Sequence, residues 1–223
     1  MTYIDFVCEQ LKTFQIGQPI YTRDISMTLA LAYNLTPKEA VAATDGAFKQ
    51  IIDSAMINDL RFYQKGIYYL TYLTPFGEVT INKECLIADK YLLPHIGYET
   101  GLMVLHQIGL TSQLPKERCF ATNKATSRMQ MDDNLGVLIC PPKTTINEHN
   151  KVYLQFLDVL DLMNKAPVDV EHPYILLAKY IQEKGLDYRF LLSLADKYYN
   201  QKTILQLAHI ASNGEKNCER NIS

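Results

Sequence analysis

Residues 60–71, LRFYQKGIYYLT, place two runs of strand-forming residues on either side of Lys65-Gly66. Leu60, Phe62, Ile67 and Tyr69 have the β-branched and aromatic character of paired strands, and the Lys-Gly dipeptide supplies a tight turn, so the stretch predicts a β-hairpin. Arg61 and Lys65 put basic charge near the bend. Whether this is an ordinary surface hairpin or the wing of a DNA-binding module depends on what comes before it.

Immediately upstream, Thr36-Pro37-Lys38-Glu39 is the sharpest local signal in the chain. Thr stands at the N-cap, Pro at the first helical position and Glu three residues on, closing a capping box. The helix that starts there carries Val41, Phe48, Ile51, Ile52 and Ala55 as an apolar stripe, with Lys38, Ala42, Asp45, Lys49 and Asp53 on the opposite face. Further back, Ile4, Val7, Leu11 and Phe14 repeat at steps of three and four and predict a first helix over residues 3–14. After Gly17 and Pro19, the extended piece PIYT leads to Thr22 as a candidate N-cap, and Ile25, Leu29 and Tyr33 predict a second helix ending near Asn34. Helix, short extended piece, helix, helix, hairpin is the order of a winged helix-turn-helix.

Pro75 and Gly77 interrupt this pattern, and the expected domain boundary lies there: residues 1–75 a winged helix-turn-helix, 76–212 a second α+β domain, 213–223 a flexible tail. The second domain reads as mostly helical with a small sheet. Helices are predicted over Lys83–Leu93, Thr100–Ile108 with Gly109 as C-cap, Asn147–Met163, Pro173–Lys184, Tyr188–Tyr199 and Lys202–Ala211. Strands are predicted at RCFAT (118–122) and LGVLIC (135–140), the latter closed by Pro141-Pro142. The fold class expected is therefore α+β.

The chain of 223 residues is 48% hydrophobic and 21% charged, the composition of a globular protein rather than a disordered one. Its longest apolar runs fall far short of the roughly 20 residues that cross a bilayer, so no membrane anchor and no signal peptide are expected. Five cysteines, Cys8, Cys85, Cys119, Cys140 and Cys218, are scattered and form no CxxC pair, which fits reduced thiols in a cytoplasm better than a disulfide framework or a zinc knuckle. The net charge of −2 gives no global pull toward nucleic acid, so a nucleic-acid site has to be a local patch.

The sequence carries no phosphate loop, dinucleotide fingerprint, zincin or nucleophile-elbow motif. His95, His106, His149, His172 and His209 stand apart from one another and from cysteine, and no metal or cofactor is expected. Asp158 with Asp161, at i and i+3 on one helix, and Asp169 with Glu171 leave open a carboxylate-based, metal-dependent nuclease. Against it stands the commoner role of such pairs as solvated charge.

For DNA, the exposed start of the third helix offers Thr36, Lys38, Ala42 and Lys49 to the groove edge. Arg23, Arg61 and Lys65 would lie along backbone phosphates, contacts that add affinity and salt dependence without reading sequence. Residues 1–75 nevertheless hold six basic and seven acidic side chains, and Asp45 and Asp53 share the face that would meet DNA. A winged helix used only to dock a protein is thus a second reading. A further basic stretch, Lys116, Arg118, Lys124 and Arg128, could extend a nucleic-acid footprint or meet an acidic partner, with a solvated strand edge as the default reading.

The KGIYYL hairpin (65–70), GYETGLMVLHQIGLTSQLPKERCFATN (97–123) and YLQFLDVLDLM (153–163) together resemble the AbiEi-like antitoxins of bacterial type IV toxin–antitoxin systems. The resemblance covers most of the chain. It implies an N-terminal repressor domain that binds inverted repeats in its own promoter, with two protomers per site, and a C-terminal domain that counteracts a nucleotidyltransferase-like toxin encoded beside it. It implies DNA contacts at Lys65-Gly66 and along the helix from Thr36, and places Tyr98–Asn123 in the antitoxin domain. It brings no catalytic residues, and the protein is expected to be a cytoplasmic regulator and not an enzyme.

Overall fold

Thr2 and Asp5 close the start of the first helix, α1 (Tyr3–Leu11), by exchanging side-chain-to-amide hydrogen bonds in a capping box. In the computed structural model, which describes the backbone of residues 2–220 and the side chains of residues 2–213, the chain divides into two units, Met1–Leu86 and Ile87–Ser223. Each mixes helices with small sheets, as the α+β reading expects.

In the first unit, α1 is followed by strand β1 (Ile20–Tyr21), helix α2 (Thr22–Tyr33), helix α3 (Pro37–Asp53) and the hairpin β2 (Leu60–Gln64) and β3 (Ile67–Leu70). The three strands form an antiparallel sheet in the order β1-β3-β2. Thr22 is the first residue of α2 rather than its cap. Its amide donates to the Gly66 carbonyl at 3.0 Å, so the start of α2 is satisfied by the hairpin turn and needs no side-chain cap. Asn34 ends α2 in the left-handed conformation that Asn tolerates.

Val7, Leu11, Ile20, Ile25, Ala47, Phe48, Ile51 and Leu60 form the core between the helices and the sheet. Each fully buried Val, Leu, Ile or Phe side chain here is worth about 1.5–3 kcal/mol. The buried stripe of α3 is Ala40, Thr44, Ala47, Phe48 and Ile51. Val41, Ile52 and Ala55, expected inside, are exposed. Small residues at 40, 44 and 47 let neighbouring helices approach closely, which turns the helix so that its larger outer apolar residues face solvent.

The expected boundary at Pro75 and Gly77 falls inside this unit. A second hairpin, β4 (Leu73–Thr74) and β5 (Gly77–Glu78), turns the chain back, and the Thr71 hydroxyl donates to the Val79 carbonyl at 2.7 Å. The Asn82 amide then donates to the Gly17 carbonyl at 2.8 Å, fastening residues 79–82 to the first unit.

Helix α4 (Lys83–Ile87) runs into a π-helical turn, Ala88–Leu92. Strand β6 (Gly97–Thr100), helix α5 (Leu102–Ile108), strands β7 (Arg118–Thr122), β8 (Gln130–Asp132) and β9 (Val137–Cys140), and helices α6 (Lys151–Met163), α7 (Pro173–Glu183), α8 (Tyr188–Tyr198) and α9 (Gln201–Arg220) follow. The four strands pair in the order β6-β7-β9-β8, with β7 and β9 parallel. Thr100, read as helical, belongs to β6. A Cβ at Gly97 would lie 2.1 Å from the Tyr91 carbonyl oxygen, so β6 packs against the π-helical turn closely enough to require glycine.

The core of this unit runs from Tyr98 and Ala121 of the sheet through Leu154, Leu157 and Leu160 of α6 to Leu177, Leu191 and Leu207 of the last three helices. Of the expected tail 213–223, α9 takes up the backbone as far as Arg220. Residues 221–223 lie outside the described residues.

Candidate nucleic-acid interface

The outer face of α3 is open along its length. Lys38, Ala42, Asp45, Lys49 and Asp53 are all exposed, and Gly46 and Gln50 join them. Gly46 was missed because it offers no side chain, although the helical step from Lys38 and Ala42 places it there. Lys38 and Lys49 make no ion pair among the described residues, so both ammonium groups are available for a phosphate. Asp45 and Asp53 interleave with them, and the face has no net positive charge.

The start of α3 is occupied by its own side chains. The Glu39 carboxylate accepts from the Thr36 amide at 3.0 Å and from the Thr36 hydroxyl at 2.7 Å, and the hydroxyl accepts from the Glu39 amide at 3.4 Å. These contacts hold the Glu39 carboxyl below its ordinary pKa, the hydroxyl bond being the larger cause. A helix start bearing a fixed carboxylate repels a phosphate instead of attracting one. Thr36 therefore positions α3 and is not itself free to grip a ligand.

The hairpin is short and anchored. Tyr68 of β3 packs its ring on Phe48 of α3 with centroids 4.6 Å apart, and Phe62 meets Tyr68 edge-on at 5.5 Å. Gly66 takes φ +78°, a conformation that a side chain disfavours, and its carbonyl holds the Thr22 amide. This bond brings together two sequence-predicted cations, Arg23 and Lys65, each one residue away from it. Both are exposed. Arg23 pairs with Asp24 at 3.2 Å across solvent, a contact worth little.

Arg61 is placed differently. Its guanidinium binds both carboxylate oxygens of Glu78, at 2.6 and 3.3 Å, and also donates to the carbonyls of Asn58 and Leu60. Glu78 lies outside the sequence-derived set because its strand, β5, was not anticipated.

The basic stretch of the second unit does not form one stripe. Lys116 pairs with Glu117 at 3.4 Å, and Arg118 with Glu99 at 2.5 Å, its guanidinium lying over the Phe120 ring. Lys124 lines a cleft of roughly 490 Å³ that also holds Lys90, Tyr91 and Asp132, where the Asp132 carboxylate accepts from Lys90 and from Tyr91, each at 2.7 Å. Arg128 is exposed on the loop beyond it.

The carboxylates weighed for nuclease chemistry are separated in role. Asp158 accepts from the hydroxyls of Tyr199 at 2.6 Å, Tyr98 at 2.9 Å and Thr100 at 3.3 Å, tying α6 to β6 and to the end of α8. Burial raises its pKa, and the three hydroxyls oppose that shift. Asp161 instead meets Lys165 at 3.0 Å and Asn200 at 2.7 Å. Asp169 accepts from the amide and hydroxyl of Ser112 and from Thr111, which pins the loop after α5. Glu171 is exposed, and among the described residues no group of three His, Cys, Asp or Glu side chains converges on a metal site.

No helix among the described residues is long and apolar enough to cross a membrane. No family model, no curated protein and no solved structure matches the chain.

Proposed function

We propose that the first unit is a winged helix-turn-helix that binds duplex DNA, with α3 in the major groove and the Lys65-Gly66 turn against the flanking backbone. The observation that carries this reading is topological. The order α1, β1, α2, α3, β2, β3 with the sheet order β1-β3-β2, and an exposed outer face on α3, match the arrangement of a winged helix-turn-helix and support this reading. Lys38 and Lys49 along that face, and Arg23 and Lys65 beside the Thr22–Gly66 bond, are the phosphate contacts in this reading. Ala42 and Gly46 leave room for a base edge to approach the helix.

On the resemblance to AbiEi-like antitoxins, the DNA is the promoter of the protein's own operon, read as inverted repeats by two protomers. The second unit then counteracts a nucleotidyltransferase-like toxin in the cytoplasm. The quoted sequence motifs support that part of the proposal. Replacing Arg23, Lys38, Lys49 and Lys65 together by Ala and titrating labelled upstream DNA tests the interface. A large loss of affinity with a shallower salt dependence is expected, and unchanged binding removes it.

A specific observation favours a second reading, that α3 docks a protein. The helix start is closed by Glu39, Asp45 and Asp53 share its open face, and Val41 and Ile52 are exposed there. Co-purification of a stoichiometric protein partner, with no retention on DNA at low salt, would select this reading over the first.

A further inference from the structure

Strands β7 and β9 run parallel with Cys119 opposite Leu138 and Ala121 opposite Cys140. Directly opposed residues share a face of a sheet, as do residues two apart on one strand, so the two cysteines project to the same side. They are diagonal neighbours there, and their sulfur atoms stand 3.8 Å apart, in van der Waals contact. Both residues are partly buried. Cys8 and Cys85, the other cysteines with described side chains, belong to the other unit.

We propose that Cys119 and Cys140 are a reversible redox pair that closes into a disulfide across β7 and β9 when the protein meets a peroxide. Each of the two new bonds to sulfur is formed by a thiolate, Cys119 first and Cys140 once the oxidised Cys119 no longer competes with it for ionisation. The contact between the two sulfurs favours ionisation of Cys119, whose pKa lies below the ordinary thiol value, at the expense of Cys140, which the same contact and burial push up. The Cys119 thiolate attacks one peroxide oxygen, the O–O bond breaks, and with a proton from solvent one water leaves. The sulfenic acid formed on Cys119 is then attacked by Cys140, the S–O bond breaks, and a second water leaves with the Cys140 proton. Two thiols and one hydrogen peroxide thus become one disulfide and two waters, and the two electrons lost by sulfur reduce the peroxide.

A disulfide holds its sulfurs about 2.05 Å apart, so closure draws the two side chains together along the strands. Closing it fixes the ends of a segment whose termini are 21 residues apart and which carries Lys124, Arg128 and β8.

The test uses the full reduced chain, exposed to hydrogen peroxide in slight excess, then denatured, alkylated and mapped by mass spectrometry. Two of the five thiols should become protected, the Cys119 and Cys140 peptides should appear as one cross-linked species, and dithiothreitol should restore both. Cys119→Ser and Cys140→Ser should each lose the cross-link. To separate chemistry from misfolding of either variant, the wild-type chain is also oxidised in urea, where the link should form at least about ten-fold more slowly than in the folded chain because chain closure is no longer pre-organised. Two thiols that stay alkylatable, oxidation to sulfinic acid without a bridge, or equal rates in the folded and urea-unfolded chains would each overturn the proposal.

Discussion

The guanidinium of Arg61 is held by Glu78 through two hydrogen bonds, at 2.6 and 3.3 Å, across the two hairpins of the first unit. Its further bonds to the Asn58 and Leu60 carbonyls make it a brace for the base of the β2–β3 hairpin. A phosphate would have to displace a bidentate carboxylate to reach it. Replacing Arg61 by Ala should therefore leave the salt dependence of DNA binding unchanged. Lys49→Ala and Lys65→Ala should each lower the slope of log affinity against log salt by about 1. Titrations at several salt concentrations decide this, and an Arg61 effect as large as that of either lysine would mean the ion pair opens on DNA.

Glu39 stands at the start of α3 with its carboxylate fixed on Thr36. Glu39→Gln keeps an oxygen for the capping box and removes the negative charge. If the start of α3 faces phosphates, affinity at low salt should rise about 2- to 5-fold, the effect of removing one like charge at a helix terminus. Anisotropy titration of the variant against the wild type measures it. No change would place the DNA away from this end of the helix.

Thr44 is fully buried in α3, and its hydroxyl has no hydrogen-bond partner. Exchanging the hydroxyl for a methyl group, Thr44→Val, removes an unsatisfied polar atom at nearly constant volume. The first unit should gain about 0.5–1.5 kcal/mol. The urea midpoint should rise with no change in the slope of the transition. A destabilised variant would mean that the hydroxyl has a partner, such as a buried water.

Asp158 is buried beneath Tyr98, Thr100 and Tyr199, and its folded pKa is raised. The unfolded chain ionises this group near its ordinary value of about 3.9, whereas the folded chain holds the proton to higher pH. Stability should thus decline as pH rises from about 4 through the folded pKa, because the unfolded chain binds fewer protons over that range. Asp158→Asn removes the titration. Its stability, followed by urea unfolding across pH, should lack this component of the decline, and an identical profile for the two proteins would rule the account out.

The first unit was largely legible because its signals are local. The Thr36 capping box, the left-handed Asn34 and the Lys65-Gly66 turn each act over three or four residues. What escaped notice depends on partners distant in sequence. Glu78 neutralises Arg61 from 17 residues away, and β5, which carries it, is only two residues long. Strand β6 was missed because Gly97, which a strand disfavours, is demanded by the Tyr91 carbonyl behind it. The centre of the buried stripe on α3 was misplaced because Val41 and Ile52 look more like core than Ala40 and Thr44. Hydrophobicity read along the helix does not show which side neighbours can approach. The thiol pair was invisible for the same reason, since only the parallel register of β7 with β9 brings Cys119 to Cys140.

The central claim is that the open face of α3 and the wing bind DNA. The most direct measurement is the affinity of the purified full-length protein for the duplex immediately upstream of its own gene, against an unrelated duplex of equal length, across a salt series. The account predicts selective binding to the upstream duplex that weakens steeply with salt and loses slope when Lys38, Lys49 and Lys65 are replaced. Equal, weak retention of both duplexes even at low salt would contradict it and leave α3 as a surface for protein.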